Sequence, residues 1–326
     1  MKKNIAVITG GYSNESVISY KSAENVFNNI DSEKYNCYII DINKNGWYYT
    51  NENNLQKEVN KNDFSIEINN EKIKFDLGFI CIHGTPGEDG KIQGYLDCLQ
   101  IPYTSSSHIN SAIMCNKHYT KIIASQNGIR VAKSLKLYKN ENLIDSKENI
   151  ISKLKIPLFI KPNNGGSSIG TNKVTHVDEI IKSLEVSFEE DNEVLVEEFI
   201  DGREFTVGVF KLKGEVIVFP ITEIVSQNTF FNFEAKYEGK SSEITPAFID
   251  KNVSDKLVDA SKKIYKTFDC KGIVRIDYIY NTEEEPFMLE INAIPGESIY
   301  SVIPKQVLAM GWTLKEFYSI LIEEFL

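Results

Sequence analysis

A mixed α+β fold of two or three domains, opening with an α/β unit, is what this sequence predicts, and three observations carry the prediction. The chain has 326 residues, about twice the size of a common domain. Its first apolar run, Asn4 to Ile8, ends in Gly10-Gly11 and gives way to a helix-like stretch from Ser16 to Asn29, the strand–loop–helix order of an α/β unit. Much later, Val274 to Tyr280 and Phe287 to Ile291 alternate apolar and polar residues, which reads as two neighbouring strands.

Composition narrows the function. Hydrophobic residues make up 42% of the chain, as in a soluble globular protein. The net charge is −10 and lysines are scattered among acids, so no basic patch offers itself to nucleic acid. No apolar run is long enough for a membrane span, and the apolar start is too short for a signal peptide. Cys37, Cys81, Cys98, Cys115 and Cys270 are odd in number and form no C-x-x-C pair. That spacing points to reduced thiols in a cytoplasm, neither zinc ligands nor a disulfide framework.

Taken in order, the first strand runs into the loop Gly10 to Glu15, a place where backbone N–H groups can face an anion. The dinucleotide fingerprint G-x-G-x-x-G is absent. On the helix that follows, Val17, Ala23, Val26 and Phe27 are the expected inward residues. Phe75 to Ile82 is nearly all apolar, hence a buried strand of a parallel sheet. It ends in the string His83-Gly84-Thr85-Pro86-Gly87-Glu88-Asp89-Gly90-Lys91-Ile92-Gln93-Gly94, and loops after such strands carry ligands. A helix holding Ser111 to Lys117 is expected to end near Gly128. Leu158 to Lys161 is a short strand leading into Pro162-Asn163-Asn164-Gly165-Gly166-Ser167-Ser168-Ile169-Gly170. Glycines and serines suit a loop that folds over phosphates, although no Walker A lysine ends it.

A helix follows from about Thr175 to Glu190, then a strand from Val194 to Phe199. Phe205 to Leu212 and Val216 to Ile224 are expected as a hairpin about Lys213-Gly214. Gln227 to Thr245 has no clear period, and a stretch of that length is more often a functional loop than a plain connection. Helix 252–269 places Val253, Leu257, Ala260, Ile264 and Phe268 on one face. Thr313 to Glu316 is a capping box that opens the last helix.

The two alternating strands hold the chemistry. Asp277, Glu290 and Asn292 project from one neighbourhood if the strands pair. Three oxygen donors suit magnesium, which takes the rest of its shell from water and substrate phosphates. A bare acidic hairpin reads as solvated surface. Here the acids sit among apolar residues, where an unpaired carboxylate is costly.

At these residues the chain resembles the D-alanine–D-alanine ligases of the ATP-grasp superfamily. The Arg275-x-Asp277 and Glu290-x-Asn292 strands match the family's pattern. The His83 to Gly94 string matches H-G-x-x-G-E-D-G-x-x-Q-G at every fixed position, and Lys161 with its loop matches K-P-x-x-x-G-S-S-x-G. The resemblance covers nearly the whole chain. It implies an ATP-grasp fold with an N-terminal Rossmann-like α/β domain, in three domains near 1–104, 105–192 and 193–326, with ATP between the last two.

It implies ATP and D-alanine as substrates, two magnesium ions (or manganese), synthesis of D-alanyl-D-alanine for peptidoglycan, and a homodimer. Asp277, Glu290 and Asn292 hold metal. Lys117, Lys161 and Lys236 meet phosphates, while Glu197 accepts from the adenine amino group. Ile200 lies near the base, and Glu204 binds the ribose. Glu15 holds the first D-alanine's ammonium group, and His83 and Glu88 shape the D-alanine sites. Arg275 and the Gly296 amide stabilise an oxyanion. Ser167, Tyr237 and Ser301 complete the catalytic set.

The chain departs from the family's usual residues at Asn116, Asn232, Ala293 and Glu297. Glu297 is expected as an extra carboxylate beside the second-substrate site. Rival readings are a ligase of D-alanine to D-lactate or of another pair, against which Tyr237 counts, and a nucleotide-binding regulator without turnover.

Overall fold

A computed structural model describes residues 2–50, 56–166, 168–226, 241–281 and 285–326. Strand β1 (Lys3–Gly10) lies between β2 (Tyr35–Asn43) and β7 (Leu77–Ile80), parallel to both. Ile5 to Ile8 is sealed on both faces, as its unbroken apolar run requires. β3 (Gly46–Thr50) and β4 (Gln56–Glu58) extend this sheet antiparallel, and β5 (Ser65–Ile68) with β6 (Glu71–Lys74) forms a separate hairpin. Helix α1 (Ser16–Asn29) buries Ser19, Ser22, Ala23 and Val26. Val17 and Phe27, expected inward, are instead 57% and 37% exposed. The buried stripe at helical spacing runs through two serines, and it leaves Val17 and Phe27 on the neighbouring stripe.

After α2 (Lys91–Cys98) the expected single helix is two, α3 (His108–Cys115) and α4 (Lys117–Gln126). Asn116 breaks it with an extended backbone, and its Oδ1 caps α4 by accepting the Tyr119 N–H at 3.1 Å. A second sheet, all antiparallel, is ordered β10 (Asn172–Val174), β9 (Leu158–Pro162), β11 (Glu193–Glu198), β8 (Ser134–Tyr138). Helices α5 (Leu143–Lys153) and α6 (Ile180–Glu190) cover it through Ile150, Ile180 and Leu184.

The third sheet centres on β12 (Arg203–Leu212), paired with β16 (Val274–Tyr280), which in turn pairs with β17 (Phe287–Asn292). The strand expected over Val216 to Ile224 is split into β13 (Glu215–Val218) and β14 (Thr222–Ser226), with β15 (Ser241–Ile244) beyond. β13 pairs with the far half of β12 and β14 with the near half. The step falls where Phe219 crosses Gly208, whose lack of a side chain leaves room for the ring.

Helix α7 (Lys251–Thr267) packs on this sheet through Leu257 and Ile264, and Met114 of α3 and Ala124 of α4 join the same core. Sheet membership therefore carries the central unit past residue 192 to Glu198, while α3 and α4 side with the third sheet. Helices α8 (Val302–Ala309) and α9 (Leu314–Glu323) fasten the first sheet to the third. Ile303, Val307 and Phe317 share one core with Val7 and Phe79 on one side and Phe210 on the other. Each such side chain contributes roughly 1.5–3 kcal/mol when fully buried.

A polar pin sits in this junction. Gln306 is fully buried; its Oε1 accepts the Gly208 N–H at 3.0 Å and its Nε2 donates to Thr206 O and Thr222 Oγ1, both at 3.0 Å. Gln306→Ala strands a buried donor and two acceptors, so thermal or urea unfolding is expected to show a loss of about 2–4 kcal/mol. A loss below about 0.5 kcal/mol, within the range of a surface change, would show that the pin is dispensable.

Candidate active site

The pairing of β16 with β17 sets Asp277 opposite Glu290 and Arg275 opposite Asn292. Side chains two apart on a strand, and those directly opposite, share a face, so these four converge. A register shift follows Asp277. Arg275 grips Asp277 with both ends of its fork, Nε to Oδ1 at 2.9 Å and Nη2 to Oδ2 at 2.8 Å. Asn292 Nδ2 donates to Asp277 Oδ2 at 3.0 Å, and the Thr206 hydroxyl donates to Oδ1.

No three His, Cys, Asp or Glu side chains cluster as a metal site among the described residues. The candidate set is two carboxylates and an amide, all oxygen donors, which fits a cation that draws its other ligands from phosphate and water.

Lys117 begins α4. Its ammonium donates to the Gly165 carbonyl and stands 3.6 Å from Glu290 Oε2. Burial would lower this lysine, but Glu290 and more distant anions outweigh it and raise it above its ordinary value. Lys161 reaches in from β9 and pairs with Glu197 at 2.9 Å. A residue missed in the sequence completes the set. Lys121, one helical turn after Lys117, also pairs with Glu197 at 2.9 Å.

Glu197 is 3% exposed. Burial would raise its carboxyl, yet the two lysines hold it below the usual range; burial lowers Lys121 in return. The Glu197 carboxylate is thus held by two lysines, which leaves the main-chain groups of this strand for the expected reading of adenine. Phe199, Ile200 and Glu204 line the same cavity of about 410 Å³ together with Lys117 and Lys161. Asn116, the departure from the family's usual residue just before Lys117, turns to the neighbouring loop and donates to Asn164 Oδ1 at 3.1 Å.

A second cavity, about 390 Å³, opens on the other side of Asp277 and Glu290 and is bounded by Glu15, His83, Arg275, Gly296 and Ser301. Glu15 sits at the start of α1 between two glycines. A Cβ on Gly84 would come within 2.9 Å of its Oε2, and one on Gly166 within 2.6 Å of its Oε1. The first loop and the Gly/Ser loop therefore meet at Glu15.

His83 is nearly buried. Its amide donates to Ser19 Oγ at 2.9 Å, its Nε2 is 3.1 Å from Ser22 Oγ, and its Nδ1 is 3.7 Å from Glu88 Oε1. Ser301 Oγ lies 2.8 Å from Ser298 Oγ, and the same side chain leaves no room for a Cβ on Gly296.

Ser167, Lys236 and Tyr237, with Asn232, lie outside the described residues. Glu297 does not stand in the substrate cavity as expected. Its side chain turns away from Gly296 into the protein, 4% exposed, and accepts from Tyr318 of α9 at 3.0 Å.

An antiparallel sheet with its glycine-rich loop, set against a second sheet carrying paired acidic strands, with lysines between them, defines the ATP-grasp class of enzyme. Comparisons with known proteins make this narrower. Residues 4–106 match the family model described as D-ala D-ala ligase N-terminus, and residues 123–323 match D-ala D-ala ligase C-terminus.

The chain is 47% identical to the D-alanine--D-alanine ligase of Azobacteroides pseudotrichonymphae, over 98% of this chain and 99% of the relative. Among solved structures, the VanG D-Ala:D-Ser ligase from Enterococcus faecalis superposes with a TM-score of 0.89 at 32% identity, covering 100% of both chains. The D-alanine--D-alanine ligase from Bacillus anthracis complexed with ATP gives 0.76 at 28% identity, covering 98% of this chain and 96% of that one. This chain belongs to the D-alanine–D-alanine ligase family.

Proposed function

We propose that the chain joins two molecules of D-alanine into D-alanyl-D-alanine for peptidoglycan, with ATP converted to ADP and phosphate. The observation that carries this reading is that Asp277 and Glu290 form a wall common to two cavities. One cavity carries the lysines and the glycine loop, and the other carries Glu15, His83, Arg275 and Gly296. A γ-phosphate held on one side thus lies next to a carboxylate held on the other.

A carboxylate is a poor electrophile at neutral pH; as an acyl phosphate it has a good leaving group. Lys117 and Lys161 spread the charge of the transferring phosphoryl group, and positioning of this kind is most of what such transfers need. Asp277, Glu290 and Asn292 would hold magnesium, as two ions, and the metal when bound would neutralise charge on the phosphates. Glu15 holds the first D-alanine's ammonium group, and His83 with Glu88 shapes that end of the cavity. The second amine, once deprotonated, attacks the acyl carbon, and phosphate leaves. Arg275 and the Gly296 amide receive the developing oxyanion.

Ile200 borders the base and Glu204 the ribose. Lys236, Ser167 and Tyr237 keep the roles that the family resemblance gives them, phosphate charge neutralisation and protection of the acyl phosphate from water. The first domain ends near residue 104, the central and third domains divide after β11 at about Glu198, the enzyme works as a homodimer, and it resides in the cytoplasm. Free cysteines throughout and no described helix long and apolar enough to cross a membrane agree with that placement.

The likeness to a D-Ala:D-Ser ligase favours one second reading, D-serine as the second substrate. Incubation with ATP, magnesium, D-alanine and D-serine together, followed by mass analysis, is expected to show D-alanyl-D-alanine as the main product. A predominance of D-alanyl-D-serine would replace the first reading with the second. ADP release without any dipeptide would overturn both.

A further inference from the structure

Glu297 follows the residue proposed for the oxyanion, yet its side chain is buried and does not line the cavity that Gly296 lines. Tyr318 of α9 donates to its Oε2 at 3.0 Å, while Oε1 is buried with no hydrogen-bond partner among the described residues. Its main chain is held from α1: the Glu297 N–H donates to Ser22 Oγ at 3.1 Å, and Asn25 Nδ2 donates to the Glu297 carbonyl at 2.7 Å. Asn25 Nδ2 also reaches Tyr318 Oη at 3.3 Å, closing a ring of contacts. Ser22, having accepted the Glu297 amide, has one hydrogen of its own to give to His83 Nε2 at 3.1 Å.

Three elements pack around the carboxyl. α9 presents Tyr318 and α1 presents Asn25 and Ser22. The end of β7 presents the buried Cys81 thiol, which burial first and then Glu297 push well above its ordinary value. The nearest imidazole, His83, is reached only through Ser22. No cation pairs with Glu297 among the described residues, and burial pushes its carboxyl up to about 8, with Tyr318 pulling back against that rise. A charge here would have one hydroxyl donor and no counter-ion, which is costly in a low-dielectric interior.

We propose that Glu297 is a positioning residue: through Tyr318, Asn25 and Ser22 it locks the Gly296 amide and the His83 ring to one frame, so that both ends of the substrate cavity keep a fixed spacing. This role deepens the reading of the cavity as a dipeptide-forming site and rests on it. Ionisation of Glu297 loosens the lock, because a buried charge with one hydroxyl donor and no counter-ion draws water into the ring of contacts, even though the Tyr318 hydroxyl binds the charged form more strongly.

Two measurements on the full chain test it. The first is melting temperature against pH for the unaltered protein and Glu297→Gln. Below about pH 4.5 the group is protonated whether the chain is folded or not. Between there and about 8 the unfolded chain gives up a proton that the folded chain keeps, so its contribution to stability is lost as pH rises through that window. Glutamine has no such proton. The melting temperature of Glu297→Gln relative to the unaltered protein is therefore expected to climb across the window and to level off above about pH 8. A constant difference at every pH overturns the proposal.

The second measurement is dipeptide formation. The ratio of the Glu297→Gln rate to the unaltered rate is expected to rise by up to about tenfold from about pH 7 to about pH 9, following the loss of the protonated form. Glu297→Ala should lower kcat by about tenfold or more, as a misplaced catalytic group does, with ATP affinity little changed. A pH-independent ratio, or an unaltered kcat in Glu297→Ala, reduces Glu297 to a structural residue and overturns the positioning role. If the unaltered protein forms no dipeptide, the ligase reading fails, and the melting curves still decide whether the lock exists.

Discussion

Glu290→Gln is expected to abolish dipeptide formation while ATP measured without magnesium binds nearly as before. The substitution keeps the size and one oxygen of the side chain and removes its charge. Glu290 faces Asp277 across the β16–β17 pair and stands between the two cavities. A neutral amide there weakens the hold on a divalent cation, and it leaves the Lys117 ammonium without its nearest anion. Removing one electrostatic stabiliser of a transition state costs on the order of 10²–10³ in rate, and a metal ligand is expected to exceed that. The check is a pair of measurements, turnover with ATP, magnesium and D-alanine, and nucleotide binding in a chelator. Full turnover in the variant removes Glu290 from the metal site. A parallel fall in metal-free ATP binding would instead make it part of the nucleotide pocket.

Lys161→Met is expected to lose about 10²–10³ in rate and, unlike an isolated cleft lysine, some stability as well. Its ammonium has two neighbours to serve, the phosphates proposed for the cavity and the buried Glu197 carboxylate at 2.9 Å. Removing one partner of a buried ion pair is strongly destabilising when the other charge is left alone. Here Lys121 remains on Glu197, so a loss of only about 1.5–3 kcal/mol is expected, the range for a hydrogen bond to a charged group.

Lys121→Met is the control. Lys121 is itself nearly buried, 3% exposed, and is absent from the cavity wall that Lys161 lines. It should lower the melting temperature at least as much and the rate far less. If both variants lose rate in step with melting temperature, Lys161 is structural and its phosphate role falls.

Much of this was legible in the sequence because it rests on short-range rules. The period-two alternation around Asp277 and Glu290 puts both acids on one sheet face once the strands pair, and they pair. The unbroken apolar run before His83 becomes a buried parallel strand, and Thr313 with Glu316 forms its capping box.

The failures have a common cause in side chains whose partners are remote. Ser19 and Ser22 own the buried stripe of α1 because the His83 amide and ring need them, and apolar periodicity alone assigns that stripe to Val17 and Phe27. Lys121 acquires meaning only from Glu197 on another strand. Asn116 splits a helix by capping it, a signal present in the residue type but outvoted by the apolar residues on either side. Glu297 announces itself as a departure from the family's usual residues, yet nothing local says that it points toward Tyr318.

The core that joins Val7 and Phe79 to Phe317 and Tyr318 has a consequence for how the protein is made. On the ribosome, the first strand emerges roughly 300 residues ahead of the helix that finishes its cover, on the order of 15–60 s at ordinary rates of synthesis. During that interval α1 covers this face of the first sheet only in part, through Ala23 and Val26, and the part that will meet α9 stays open. Until α9 emerges, that part of the sheet is transiently exposed apolar surface, the kind that makes an incomplete chain prone to aggregate.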